Sequence, residues 1–128
     1  MMSDPIGDML IRIKNGYMAK REIVEIPFSN FKETLAELLF KYGFIGEVVK
    51  TKDSKKFSVK LIYKDGVPAM TDIKRVSKPG LRRYIKVREL INMKQSLGYL
   101  IISTPNGLMT HKDAKKNKFG GEILCKIW

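Results

Sequence analysis

Apolar residues near the start of the chain recur at the spacing of one face of an α-helix. Asp4 is suited to cap this helix, and Pro5 fits its first position because the missing backbone N–H costs nothing there. We expect Gly16 to end the helix. The apolar face consists of Ile6, Met9, Leu10 and Ile13, which lie three or four residues apart.

The next stretch predicts a strand followed by a second helix. Residues 23–26 form a short apolar run that favours a strand and stops at a proline. A helix should begin at Ser29 or Asn30, because Asn30 and Glu33 have the spacing of a capping box. It should end at Gly43. Its apolar face would comprise Phe31, Leu35, Leu38, Leu39 and Tyr42.

From residue 44 onwards the alternation of apolar and polar side chains predicts mainly strands. Residues 44–49 favour one strand, and residues 57–63 alternate except at Ile62. Asp65 and Gly66 together form a strong turn signal. In the second half of the chain we expect strands at residues 70–76, 83–87, 99–103 and 123–128.

One short helix is expected within the strand-rich half. Thr110 and Asp113 have capping-box spacing, so a helix should follow through Lys116 and end at Gly120 and Gly121. The whole pattern predicts an α+β fold of two small packed domains. In residues 1–66 helices lie on a small antiparallel sheet, and residues 67–128 form a mainly β domain with one short helix.

The charge of the chain indicates a polyanionic partner. Its 128 residues include 25 Lys and Arg but 13 Asp and Glu, so the net charge is +12. Such an excess on a small protein repels itself and favours binding to a polyanion. Residues 1–64 carry 12 basic and 8 acidic side chains, net +4, whereas residues 65–128 carry 13 and 5, net +8. This change supports a domain boundary after residue 66.

The sequence carries no recognisable catalytic apparatus. We expect His111 to be a solvated polar residue and Cys125 to be a buried small hydrophobe. A single cysteine excludes an internal disulfide and a multi-cysteine metal site, and we expect no cofactor, metal or small-molecule substrate. The alternative function is that of a small basic enzyme acting on nucleic acid.

The sequence also argues against a membrane protein. No segment approaches the roughly 18 apolar residues that a membrane span needs. The first residues, MMSDP, lack the basic and then apolar layout of a secretory signal. We therefore expect a cytoplasmic protein with no membrane partner.

Two segments carry candidate nucleic-acid chemistry. Residues 77–86 join a Pro-Gly turn to four cations and Tyr84, which suits phosphate neutralisation and base stacking, although an ordinary solvated hairpin has the same composition. Residues 103–107 offer two hydroxyls, an amide and a glycine backbone that can read 2′-hydroxyls, although Pro-Asn-Gly is also plain turn chemistry. The short helix adds at best a supplementary phosphate surface of Lys112, Lys115, Lys116 and Lys118.

Three ungapped motifs closely resemble one family. The run LGYLIISTPNGLMT at residues 97–110, followed by GGEILC at residues 120–125, resembles the uS8 family of bacterial small-subunit ribosomal proteins. The segments DPIGDML at 4–10 and RIKNG at 12–16 match the same family, as does RVSKPGLR at 75–82. The likeness runs along the whole chain in the same order, with no large insertion.

The resemblance implies a protein of two small packed domains that binds the central domain of small-subunit ribosomal RNA and helps to assemble the platform. It also implies no catalytic role, and neighbours such as ribosomal proteins uS5 and uS12. Bacterial members can bind a messenger RNA that mimics the ribosomal site, so a translational regulator of its own messenger is a further alternative.

The resemblance also implies which residues contact RNA. The loop that enters a shallow groove of an irregular RNA helix in the family is matched here by Ser103, Thr104, Asn106 and Gly107. Tyr84 and Glu122 match positions that contact RNA or hold the loop. The neighbouring cations of the predicted site are Arg82, Arg83 and Lys86. A weaker secondary surface is matched by Ser3, Asp4, Arg12, Asn15, Ser29 and Asn30.

One position departs from the family pattern. Family members often carry a third hydroxyl where this chain has Pro105. Proline has neither a side-chain hydroxyl nor a backbone N–H, so it cannot make the same contact. We expect Pro105 to order the loop in advance and so lower the entropy cost of binding.

Overall fold

The computed structural model describes residues 4–50, 55–94 and 98–128. Its helices are α1 (Pro5–Met18), α2 (Asn30–Lys41), α3 (Val87–Ile91) and α4 (His111–Asn117). Its strands are β1 (Ile23–Pro27), β2 (Val48–Lys50), β3 (Lys56–Lys60), β4 (Tyr63–Lys64), β5 (Val67–Pro68), β6 (Ile73–Arg75), β7 (Tyr84–Ile85), β8 (Tyr99–Thr104), β9 (Gly107–Thr110) and β10 (Gly121–Ile127).

The chain divides into two compact units, which agree with the predicted α+β class. The first unit, Pro5–Thr71, contains α1, α2, a three-stranded antiparallel sheet in the order β1-β3-β2 and the hairpin β4-β5. The second unit, Asp72–Trp128 together with Asp4, contains α3, α4 and a sheet in the order β6-β10-β8-β9, in which β7 also pairs with β10. The domain boundary after residue 66 stays a prediction.

Helix α1 begins as predicted but ends later. Pro5 is its first residue, whereas the helix continues past Gly16 to Met18, so the predicted end was wrong. Gly16 is buried where α1 meets the first sheet, and a Cβ there would lie 2.9 Å from Cδ1 of Leu61 and still closer to Val24. The missing side chain therefore lets the helix approach β1 closely and does not terminate it.

Helix α2 is capped by one of the two predicted residues. The Oγ of Ser29 accepts a hydrogen bond from the backbone N–H of Lys32 at 3.1 Å, and Asn30 is already helical. The predicted capping box between Asn30 and Glu33 was therefore wrong, since a cap lies outside the helix. Gly43, with φ of 81°, follows the last helical turn and confirms the predicted end.

The strand predictions of the first unit hold in part. Only Val48 and Val49 of the predicted strand 44–49 lie in β2, because Phe44 and Ile45 are buried in the connecting segment. The hydroxyl of Tyr17 donates to the carbonyl of Phe44 at 2.6 Å and fixes that segment. The turn predicted at residues 65 and 66 joins β4 to β5, with both residues at positive φ, and is confirmed.

The second unit contains all four predicted strands and two further elements. Strands β6 and β7 are shorter than predicted, whereas β8 and β10 are each one residue longer. Strand β9 and helix α3 were not predicted, so the expectation of one short helix in this half was incomplete. Thr110 caps α4 as predicted, its hydroxyl accepting from the N–H of Asp113 at 3.4 Å. The predicted helix end at the glycine pair was wrong: α4 ends at Asn117, and Gly121 opens β10 directly against the carbonyl of Ser103.

Helices α3 and α4 cover one face of the second sheet. Leu90 of α3 and Ala114 of α4 pack with Ile102 of β8, and all three are fully buried. Half-buried apolar residues around this cluster include Ile85 and Met109. Both helices therefore lie on the face of the sheet to which Ile102 points, and neither covers the opposite face at this position.

Candidate nucleic-acid interface

Four strands of the second unit place four side chains in a row on one face of the sheet. Glu122 lies opposite both Tyr84 and Ser103, and Ser103 lies opposite Leu108. Directly opposed residues of antiparallel strands point to the same face, while their neighbours, such as Ile102, point to the other. We call Tyr84, Glu122, Ser103 and Leu108 the cross-strand row. It faces away from α3 and α4.

The cross-strand row combines aromatic, ionic and hydroxyl chemistry. Tyr84 is 68% exposed, so its ring is available to stack on a ligand. The carboxylate of Glu122 accepts from Nη1 of Arg82 at 3.1 Å, which holds this cation beside the row. Leu108 was missed by the sequence analysis, because only the register of β9 reveals that it lies opposite Ser103.

The predicted loop at residues 103–107 is a tight hairpin. Ser103 and Thr104 lie in β8 and Gly107 opens β9, so Pro105 and Asn106 alone form the hairpin turn. The hydroxyl of Thr104 donates to the carbonyl of Gly107 at 2.8 Å and accepts from the N–H of Asn106 at 3.1 Å. The single hydroxyl proton of Thr104 therefore serves the turn and is not available to a ligand.

The tip of the hairpin is open to a ligand. Pro105, Asn106 and Gly107 are all exposed. The φ of Gly107 is 109°, a conformation that favours glycine. Apart from Gly107 and its two chain neighbours, no described residue has an atom within 4 Å of the point where a Cβ at Gly107 would lie. A ligand can therefore approach the backbone closely here.

The segment 77–86 is braced from within. Ser77 is fully buried, and its hydroxyl accepts from the N–H of Arg83 at 2.7 Å and donates to the carbonyl of Arg83 at 3.2 Å. Lys78 and Leu81 bridge the intervening turn through mutual backbone hydrogen bonds. The exposed side chain of Arg83 thus extends from a fixed backbone. Lys86 is also exposed, and its N–H donates to the Glu89 carboxylate at the start of α3.

The residues of the predicted secondary surface do not share one site. Arg12 and Asn15 line a groove between α1 and β1 that Arg21 also borders. Ser29 lines a different groove, next to Pro5 and Phe31, and its hydroxyl is engaged in capping α2. The surface therefore consists of separate patches.

Three further members of that surface have their own positions. Asn30 is exposed, and its carbonyl accepts from the hydroxyl of Thr34. The carboxylate of Asp4 binds Nε and Nη2 of Arg75 at 3.2 and 3.3 Å, and this pair is partly buried within the second unit. Ser3 lies outside the described residues.

The single histidine and the single cysteine, which were weighed above as candidates for catalytic chemistry, are both buried. His111 is 7% exposed, and its Nδ1 accepts from the N–H of Leu100 at 3.0 Å, so the expectation of a solvated histidine was wrong. Burial, reinforced by the charge of Lys112, lowers the pKa of His111 below its ordinary value. Cys125 is fully buried as expected, and burial raises its pKa to about 12, so the thiol stays protonated at neutral pH.

Residues 4–50, 55–94 and 98–128 hold no group of three or more His, Cys, Asp or Glu side chains arranged to bind a metal ion. In the same ranges, every helix is too short or too polar to cross a membrane.

Comparison with known proteins gives matches over the whole chain. The model of the family described as "Ribosomal protein S8" matches residues 4–128. A "Small ribosomal subunit protein uS8" from Thermoanaerobacter sp. (strain X514) is 46% identical over 131 residues, which cover 100% of this chain and 99% of the relative. Proteins of the same name from Anaeromyxobacter sp. (strain Fw109-5) and Sulfurihydrogenibium sp. (strain YO3AOP1) are 43% and 40% identical and cover 98% and 100% of both chains.

Proposed function

This chain belongs to the ribosomal protein S8 family, and from that premise we propose that it is a structural constituent of the small ribosomal subunit that binds small-subunit ribosomal RNA. Relatives that are similar over their full length carry the name of a small-subunit protein. The net charge of +12 supplies the attraction to a polyanion.

One observation carries the RNA-binding proposal: the cross-strand row lies beside the exposed hairpin turn. Glu122 and Gly121 of β10 lie next to Ser103, and Ser103 is two residues from the turn. This arrangement combines an exposed ring, a hydroxyl and an open backbone. The minor groove of an RNA helix is wide and shallow and displays 2′-hydroxyls and base edges, which such groups can read.

The proposed site divides affinity from selectivity. Arg82, Arg83 and Lys86 neutralise phosphates and supply affinity that weakens with salt. Ser103, Asn106 and the ring of Tyr84 contact sugar edges and bases and so select the shape of the site. Thr104 and Glu122 act indirectly: Thr104 holds the turn, and Glu122 holds Arg82 in place.

Finer features are proposed from the family resemblance. The RNA target is the central domain of small-subunit ribosomal RNA, where the protein helps to assemble the platform. Its neighbours there would include uS5 and uS12, its own messenger RNA would be a second target, and its compartment would be the cytoplasm. Weaker contacts would come from the residues of the predicted secondary surface, which are Ser3, Asp4, Arg12, Asn15, Ser29 and Asn30.

The direct test is binding to central-domain RNA in competition with excess transfer RNA at near-physiological salt. We expect binding that survives the competitor and maps to one irregular helix. Binding that the competitor removes would contradict the proposal. A turnover assay with divalent metal on the same RNA tests the alternative of a small basic enzyme, and we expect the RNA to remain unchanged.

Two exposed aromatic residues provide a matched pair of variants for this assay. Tyr84→Ala removes the exposed ring of the cross-strand row and should weaken cognate RNA binding by about 1–3 kcal/mol, the usual worth of one stacked base. Phe40→Ala removes a ring that is 46% exposed on α2 of the first unit and should leave the affinity unchanged. Equal effects of the two variants would place the RNA elsewhere.

A further inference from the structure

The outer surface of α3 and α4 is strongly basic and lies on the far side of the sheet from the cross-strand row. Leu90, Ala114 and Ile102 join both helices to one face of the sheet, and the row points from the other. The exposed cations of this surface are Arg88 on α3 and Lys112, Lys115 and Lys116 on α4. We call these four residues the helical basic surface.

Three lysines of α4 lie close enough to repel one another. Lys115 and Lys116 follow Lys112 by three and four residues, so both lie on the same side of this two-turn helix as Lys112. Like charges at this spacing repel each other and destabilise a helix. Two features offset part of this repulsion. Lys115 and Lys116 lie in the last turn, where the partial negative charge of the helix end favours cations. The Nζ of Lys112 lies 4.9 Å from the ring centre of Tyr99.

The other three cations have no acidic partner among residues 4–50, 55–94 and 98–128. Arg88, Lys115 and Lys116 form no ion pair with any residue in those ranges. Glu89, the acidic neighbour of Arg88, instead accepts from the backbone N–H of Lys86. An unneutralised, self-repelling cluster is stabilised when a polyanion neutralises it, and spaced cations suit successive phosphates of one strand.

We propose that the helical basic surface binds the phosphate backbone of a second RNA segment, while the cross-strand row and hairpin turn bind the first. This inference rests on the proposed function as an RNA-binding protein of the ribosome. The two surfaces lie on opposite faces of one sheet, so one RNA helix cannot lie flat on both. The second unit thereby joins two segments of the folded RNA.

Two RNA probes separate the two contacts. The first is the isolated irregular helix that the first contact binds, and the second is the complete central domain. Lys115→Gln with Lys116→Gln in the full chain should leave affinity for the isolated helix within about twofold and weaken binding to the complete domain roughly tenfold, with a salt slope smaller by about two. Equal weakening of both probes, or of neither, would overturn the proposal.

A matched control removes the same charge from the other unit. Lys56 and Lys60 are exposed lysines of β3, so Lys56→Gln with Lys60→Gln lowers the net charge by the same amount. We expect this variant to leave both affinities within about twofold, because its lysines already pair with Glu25 and Glu47. A tenfold loss in the control would reveal a net-charge effect and overturn the inference. If excess transfer RNA displaced the wild-type protein from the central-domain RNA, that result would instead contradict the proposed function.

A positional readout identifies the second segment. The native thiol of Cys125 is buried and stays protonated, so thiol reagents label an introduced cysteine selectively. A cleavage probe on Lys116→Cys should cut a strand of the central domain other than the one cut from Asn106→Cys. Cleavage of the same nucleotides from both positions would overturn the proposal.

Discussion

The main sheets of the two units are built by the same antiparallel pairing but differ in the charges that they carry. In the first unit, lysines of β3 pair with acidic residues: Lys56 lies 3.8 Å from Glu25 of β1, and Lys60 lies 3.5 Å from Glu47, just before β2. In the second unit, the cross-strand row contains one acid, Glu122, which is paired with one arginine. Its other members are a tyrosine, a serine and a leucine.

This difference explains where a polyanion is expected to bind. A surface whose lysines already have acidic partners offers little net attraction, because those acids repel the phosphates that the lysines attract. The second half of the chain has a net charge of +8 against +4 for the first. The first unit therefore neutralises part of its own charge, whereas the second presents cations and neutral hydrogen-bonding groups that a polyanion can contact.

The largest effects are expected when one glycine of each unit is replaced by alanine. Gly121→Ala places a Cβ against the backbone carbonyl of Ser103, which cannot move aside, and should destabilise the protein by about 3 kcal/mol. It should also displace Ser103 and abolish selective RNA binding. Urea unfolding and the competition assay measure the two effects.

Gly16→Ala is the matched variant in the first unit. Its Cβ would meet the side chains of Val24 and Leu61, so the protein should be destabilised by about 1–3 kcal/mol. Selective RNA binding should persist wherever the variant is folded. A loss of selectivity in folded Gly16→Ala, equal to that in Gly121→Ala, would contradict the separate roles of the two units.

These glycines also mark what the sequence could and could not predict. Most signals that depend on adjacent residues were reliable: Pro5 at a helix start, Gly43 at a helix end and Thr110 as a helix cap. Gly16 and Gly121 were misassigned as helix ends, because the residues that pack against them are distant in sequence. A close approach between distant segments leaves no local pattern.

The candidate site was predictable in composition and not in arrangement. Ser103, Tyr84 and Glu122 were identified by motif resemblance, but only the strand register shows that they form one row. The same register adds Leu108 and shows that residues 103–107 form a hairpin. Helix α3 escaped prediction because five residues are too few to establish a helical period. His111 can be buried because its Nδ1 accepts a hydrogen bond from the backbone N–H of Leu100. These two residues are eleven positions apart, so no local pattern indicates the contact.

Removal of two hydroxyls of the hairpin tests whether the second unit binds its RNA selectively. Ser103→Ala combined with Thr104→Ala should weaken cognate RNA binding by about 1–3 kcal/mol, while binding to random RNA stays constant. Thr104→Ala alone should account for much of this loss, because the hydroxyl of Thr104 makes two hydrogen bonds that hold the turn. Parallel loss of cognate and random RNA in titrations would contradict a selective role.

Two ion pairs, one in each unit, should contribute unequally to the free energy of unfolding. Arg75→Met breaks a pair in which only 11% of the arginine side chain is exposed, and it removes the hydrogen bond from Arg75 to the carbonyl of Leu124. It should therefore lower the free energy of unfolding by about 2 kcal/mol. Lys56→Gln breaks an exposed pair of the first unit and should cost about 0.5 kcal/mol or less. Equal urea midpoints for the two variants would contradict this ranking.

The smallest expected effects concern how stability depends on pH, and one such effect arises in each unit. Only neutral His111 can accept from Leu100, and its pKa in the folded protein lies below the ordinary 6.5. As the pH falls below about 6.5, the unfolded chain therefore binds the proton first and stability falls. Tyr17 donates to the carbonyl of Phe44, and burial raises its pKa above 10.0. As the pH rises above about 10, the unfolded chain loses that proton first, and stability falls again.

Two variants assign these two pH effects. Urea midpoints measured across the pH range should show a smaller decrease on the acid side in His111→Gln and a smaller decrease on the alkaline side in Tyr17→Phe. The acid effect belongs to the second unit and the alkaline effect to the first, since each hydrogen bond lies within its own unit. Unchanged acid dependence in His111→Gln would mean that carboxylates alone cause it, and the histidine would then contribute packing without a response to pH.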